Sequence, residues 1–250
     1  MKDEDYYMIN QGLKRFVTLS IAAVCISCSS GTTPPPAMKT DARNEGQNAL
    51  LDEQYDALAK NGAKVIRINP SKSTVRIYAF RGGRASRLGH NHVISAPEFT
   101  GFFAMQDSPN DARFDLEFRL DKLEIDNPEY RAPLGKAFAT TVSPDAIAGT
   151  RDHMLGENNM QAAAYPLVQI HSLHITGESP KFAVDARIDI HGQSREMWIP
   201  LTVEGLPEHL DATGALVIRQ TDFGIKPYSV MNGLLSVQDE VVVDFHLVSD

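Results

Sequence analysis

Two histidines flank one asparagine at His90-Asn91-His92, and no other side chains in this sequence offer sharper chemistry. On an extended segment, residues two positions apart share a face, so both imidazoles can turn toward one metal ion or haem. The competing reading is a pair of surface or hydrogen-bonded histidines. Arg151-Asp152-His153 is the second constellation: the carboxylate can orient the imidazole, and the guanidinium can meet the polar head of a ligand or tether a loop. His171 and His174 fall on opposite faces of a regular strand. Asp222-Phe223-Gly224 reads as a turn, with Phe223 tucked inward and Gly224 free to take unusual dihedrals. The chain carries no G-x-S-x-G, no H-E-x-x-H and no close carboxylate pair, so no catalytic residue is assigned and no enzyme is expected.

The elements that must position these groups follow from the hydrophobic period. Arg113 to Leu120 reads R-F-D-L-E-F-R-L, which puts Phe114, Leu116, Phe118 and Leu120 on one face and the charged residues on the other. Such a segment is a half-buried antiparallel strand. Similar runs lie near 65–68, 74–80, 91–95 with 101–105, 167–174, 182–191, 197–204, 215–220 and 240–248. With no long helices between them, these strands must close or stack to bury one face. The fold class expected is all-β, a closed antiparallel barrel. Alternation turns Val75, Ile77, Phe114, Leu116, Phe118, Ile170, Val184, Ile188, Leu216, Ile218, Val243 and Phe245 inward, together with Val168, Phe182 and Val241. Trp198, the sole tryptophan, and Phe223 are assigned to the same interior. An interior of this kind either holds a long apolar guest or is solidly filled by its own side chains.

The alternation stops between Pro128 and Pro166, where 129–138 and 143–155 read as helical. Ser143-Pro144-Asp145 supplies an N-cap, a proline at the first helical position and an acid in the first turn. A helical insertion there can lid one end of the barrel. The hydrophobic content of 42% over 250 residues supports a sizeable core. A net charge of −8, with no dense Lys/Arg cluster in the strand region, argues against a nucleic-acid partner.

Residues 1–28 read as a signal peptide. Lys14 and Arg15 precede an apolar stretch over 16–26 that is too short to span a bilayer. Ser27-Cys28 fits a lipoprotein-type cleavage site with Cys28 as the lipidated residue, the alternative being plain secretion. Either way the chain is exported, to the periplasm or cell envelope. Both cysteines, Cys25 and Cys28, lie in this segment, so the mature domain has neither a disulfide nor a thiolate ligand. Residues 29–48 form a flexible polar tether and 49–62 a short amphipathic helix packed on the barrel, which itself occupies 63–250.

Five ordered landmarks carry a family resemblance. They are Leu88-Gly89-His90-Asn91-His92-Val93-Ile94, Phe99-Thr100-Gly101-Phe102-Phe103, Thr150-Arg151-Asp152-His153-Met154-Leu155 with Tyr165-Pro166-Leu167-Val168, Ile188-Asp189-Ile190-His191-Gly192-Gln193-Ser194-Arg195, and Arg219-Gln220-Thr221-Asp222-Phe223-Gly224-Ile225. In that order they resemble the YceI-like, polyisoprenoid-binding family. The resemblance implies an extended lipocalin-like barrel of eight strands, exported, whose tunnel holds an isoprenoid lipid or a quinone tail without catalysis. Arg151, Asp152 and His153 would then form a polar mouth. Two other functions stay open: a metal- or haem-linked redox accessory built on His90 and His92, and a filled barrel acting as an envelope interaction module. An exposed edge strand could also pair two barrels into a homodimer.

Overall fold

The computed structural model describes residues 40–250, so the signal segment, Cys28 and residues 29–39 of the tether lie outside the described residues. Helix α1 (Thr40–Lys60) leads into the first strand. Residues 40–48, expected as tether, are helical instead: once a docked turn nucleates the helix, each added residue gains a backbone hydrogen bond. Leu51 and Tyr55 are buried against Phe102 and Ala104, and the Tyr55 and Phe102 rings stack with centroids 4.6 Å apart.

The strands are β1 (Lys64–Arg67), β2 (Thr74–Gly82), β3 (His92–Ser95), β4 (Thr100–Met105), β5 (Arg113–Arg119) and β6 (Glu124–Ile125), then β7 (Leu167–Glu178), β8 (Lys181–Ile190), β9 (Gln193–Glu204), β10 (Asp211–Arg219), β11 (Ser229–Val230) and β12 (Leu235–Val248). All the pairings are antiparallel. The count of twelve differs from the expected eight for a geometric reason. β1 and β2 are successive parts of one line, as are β3 with β4 and β5 with β6, each broken by a short irregular stretch. The first line pairs with the second through β1·β4 and β2·β3, and the second with the third through β4·β5 and β3·β6. From β5 the sheet runs through β7, β8, β9 and β10 to β12, which pairs back onto β2. Eight lines thus close on themselves, and β11 adds two residues beside β12. The architecture is the eight-line antiparallel barrel expected from the sequence.

Turn chemistry fixes the register. β8 and β9 are joined by the two-residue loop His191-Gly192, both with positive φ (53° and 70°), which matches the strand twist. β7 departs from simple alternation: its pairing with β8 shifts between Ser172 and His174, so Ile170 and Ile175 both face inward although five residues apart. His171 and His174 consequently share the outer wall, where a regular strand would have split them; His171 pairs there with Asp115, and His174 lies beside Trp198.

The antiparallel register places the connections 83–91, 126–166, 191–192 and 220–234 at one end, here the upper end. Helices α2 (Pro128–Arg131) and α3 (Pro144–Leu155) belong to that end, with the Ser143 hydroxyl accepting from Ala146 N–H as the expected cap. Among the described residues, no helix is long and apolar enough to cross a membrane.

Candidate functional site

The barrel encloses a cavity of about 520 Å³. Of the residues assigned inward by alternation, Val75, Ile77, Phe114, Leu116, Phe118, Ile170, Val184, Ile188, Leu216, Ile218, Val243 and Phe245 all line it, as do Val168, Phe182 and Val241. Phe245 reaches in because its strand partner is Gly214: a Cβ there would stand 2.5 Å from the ring tip. A volume of this size is typical of sites that enclose a small-molecule ligand. The interior is therefore hollow.

Two assigned residues lie elsewhere. Trp198 is 53% exposed on the outer wall, because Ile199, Leu201 and Val203 take the inward positions of β9 and the two-residue period turns Trp198 out. Phe223 is fully buried but does not line the cavity. It sits in the 3₁₀ turn Gln220–Phe223, which ends at Gly224 in the left-handed region (φ 69°); the Phe223 carbonyl accepts from His191 Nδ1 at 3.1 Å. That turn seats the ring in the packed core beneath the β8–β9 hairpin.

Polar lining groups gather at the upper end: His92, Thr150, His153, Asn159, Gln220 and Tyr228. The Arg151-Asp152-His153 segment divides in function. Arg151 donates to the carbonyls of Leu123 (2.7 Å) and Asp121, so it ties α3 to the 3₁₀ turn between β5 and β6 and is not free to meet a ligand head group. Asp152 is exposed and outside the lining. Only His153 reaches the cavity; its Nδ1 donates to Gly149 O at 2.8 Å, and its ring stands edge-on to Tyr228 at 4.9 Å.

His90 and His92 do come together, with ring centroids 4.6 Å apart. His92 Nδ1 donates to Asp126 Oδ2 at 2.6 Å. The other carboxylate oxygen of Asp126 accepts from Val93 N–H at 3.0 Å and from the buried Arg131 guanidinium. Burial alone would raise the Asp126 pKa, but His92, the Val93 N–H and Arg131 outweigh it and hold the carboxyl below its usual range. Burial, with His92 beside it, pushes the His90 pKa below its usual value. Its Nε2 is buried and finds no hydrogen-bond partner among the described residues. Asp126 and Arg131 were not singled out from the sequence. The one local signal was an acid just before Asn127-Pro128, where Asp126 takes a positive φ of 54° at a turn.

A second buried polar cluster lies on the outer wall under α1. Asp115 accepts from Tyr55 Oη (2.6 Å), Arg113 Nε (2.7 Å) and His171 Nδ1. Two residues along β5, Glu117 accepts from Gln169 at 2.6 Å through one oxygen, while its other oxygen is buried without a partner among the described residues.

Several solved structures are similar to this one. BcnA from Burkholderia cenocepacia is 17% identical, with a TM-score of 0.53 over 73% of this chain and 99% of that one. A polyisoprenoid binding domain from Saccharophagus degradans, implicated in plant cell wall breakdown, is 12% identical, with a TM-score of 0.48 over 75% and 98%. The YceI protein of Campylobacter jejuni is 8% identical, with a TM-score of 0.44 over 63% and 84%. No curated protein matches the chain. The model of the YceI-like domain matches residues 67–249, the whole barrel from the end of β1 to the end of β12. The chain belongs to the YceI-like family.

Proposed function

We propose that this protein is an exported, non-catalytic carrier that holds one long-chain apolar molecule, an isoprenoid lipid or a quinone tail, along the barrel axis. The observation that carries the reading is the cavity of about 520 Å³, whose walls are branched and aromatic side chains with polar groups confined to the upper end. A guest of that asymmetry has an oily body and one polar terminus. Burying a chain of fifteen carbons contributes about 12 kcal/mol at ~0.8 kcal/mol per carbon, which is comparable to an association cost of about 4–15 kcal/mol, and each further carbon adds to the surplus. The polyisoprenoid binding described for the Saccharophagus degradans domain supports the same ligand class. Export, and anchoring to a membrane through Cys28, rest on the signal-like segment and its Ser27-Cys28 site.

The test is mass spectrometry of the organic-solvent extract from protein purified without detergent. A stoichiometric prenyl or quinone lipid is expected from the wild type. Leu216→Trp and Ile170→Trp, which fill the bore, should carry less than a tenth as much. Wild-type protein that yields no lipid and binds no added prenol or quinone would sink the carrier reading.

A further inference from the structure

We propose that His90, His92 and Asp126 form a binding site for one first-row divalent transition ion, of which Zn²⁺, Co²⁺ and Ni²⁺ are the members to test. One nitrogen of each imidazole and one carboxylate oxygen lie within 4.8 Å of one another. Bonds of about 2.0–2.2 Å to a common ion at tetrahedral angles put the donor atoms about 3.3–3.6 Å apart, so the group must draw together by about 1 Å. His90 lies in the irregular segment just before β3, so its ring can close that gap without disturbing the sheet.

Three features of this corner suit an ion. Two imidazoles and one carboxylate are borderline donors, which first-row divalent ions accept and which leave coordination positions open. The Nε2 atom of His90 is buried and has no hydrogen-bond partner among the described residues. Leaving a polar atom buried in that way is costly, and a bond to an ion would recover that cost. The carboxylate is also pre-oriented: Arg131 and the Val93 N–H hold one oxygen of Asp126, and the other accepts the Nδ1 proton of His92, which the ion would displace to solvent on binding. Outer-shell bonds of this type fix a ligating carboxylate, and they account for a guanidinium beside the site. Arg131 is itself anchored by the carbonyls of Asn91 (2.8 Å), Phe138 (2.9 Å) and Thr140 (3.0 Å), so it cannot swing in to replace the ion. Because His92 also lines the cavity, the open positions face its polar end.

The inference does not depend on which lipid the barrel carries, and its test uses metals alone. Full-length protein stripped with chelator is titrated with CoCl₂, followed by visible absorption, and with ZnCl₂ by equilibrium dialysis. One ion per chain and d–d bands of a nitrogen- and oxygen-ligated site are expected. His90→Ala and His92→Ala should each weaken binding at least tenfold, while His174→Ala, on the outer wall, should not. At one Zn²⁺ concentration that saturates the wild type, its Tm should rise by about 5 °C or more and that of His90→Ala by clearly less. His90→Ala breaks no side-chain hydrogen bond among the described residues and gives up only the ring contact with His92, so it should stay folded and keep the test informative. Affinity unchanged in both variants, or no ordered cobalt spectrum, overturns the proposal.

Discussion

Asp115 and Glu117 sit two positions apart on the outward face of β5, and their surroundings push their ionisation in opposite directions. Burial raises both, but at Asp115 it is outweighed by the bonds from His171, Tyr55 and Arg113, so its carboxyl is held below the usual range. At Glu117 burial prevails over the single bond from Gln169, and the pKa is raised. The signs give opposite pH dependences. A depressed folded pKa means that Asp115 contributes stability above its unfolded pKa of about 3.9, lost as pH falls through the folded value. A raised folded pKa means that the Glu117 contribution is complete below about 4.5 and is lost as pH rises through the folded value. Asp115→Asn should therefore cost about 3 kcal/mol at pH 7, with the gap to wild type narrowing toward pH 3. Glu117→Gln should make the protein more stable at pH 7 while leaving it near wild type at pH 4. Urea unfolding across that range checks both, and equal pH profiles for the two variants would refute the assignment.

The elements outside the sheet are held by a few contacts that can be cut one at a time. Tyr55 joins α1 to the wall twice, by its stack on Phe102 and its bond to the Asp115 carboxylate. Tyr55→Phe should cost about 1.5–3 kcal/mol and leave the helix docked, whereas Tyr55→Ala should cost about 3–5 kcal/mol and speed amide exchange through residues 50–60. At the upper end, Arg151 bonds the carbonyls of Leu123 and Asp121, so Arg151→Ala should accelerate exchange over 144–155 without changing exchange in β8. Protection of α3 unchanged by that substitution would show that the tether does not hold it. These elements were partly readable in advance. Ser143-Pro144-Asp145 announced the start of α3 through local chemistry, and Phe114, Leu116 and Phe118 announced an inward face through strict alternation. The extra residue in β7 was hidden, because a bulge shows only as a broken parity between Ile170 and Ile175. Trp198 departs from its expected place for a simpler reason: its hydrophobicity suggests the interior, but the parity set by Ile199, Leu201 and Val203 turns it outward. Asp126 was out of reach, since it meets His92 across 34 residues and only the β3·β6 pairing brings them together.

Across the whole molecule, closure of eight lines without filling them is the property on which cargo binding turns. A sheet whose inward side chains were small enough to leave about 520 Å³ open has given up the dispersion contacts that a solid core would make. A guest restores those contacts, so affinity should track how much of the bore it fills. Each isoprene unit adds five carbons and about 3–4 kcal/mol of burial, more than a hundredfold in Kd. In a series of prenols of increasing length, Kd should fall steeply with each unit while the chain still lies inside the cavity. It should level off once further units extend past the polar ring of His92, His153 and Tyr228 into solvent. In Leu216→Trp the plateau should arrive at a shorter chain, because the indole occupies part of the bore. Competition against a fluorescent fatty probe reads the whole series. A Kd indifferent to chain length, or a plateau at the same length in Leu216→Trp, would place the binding outside the barrel.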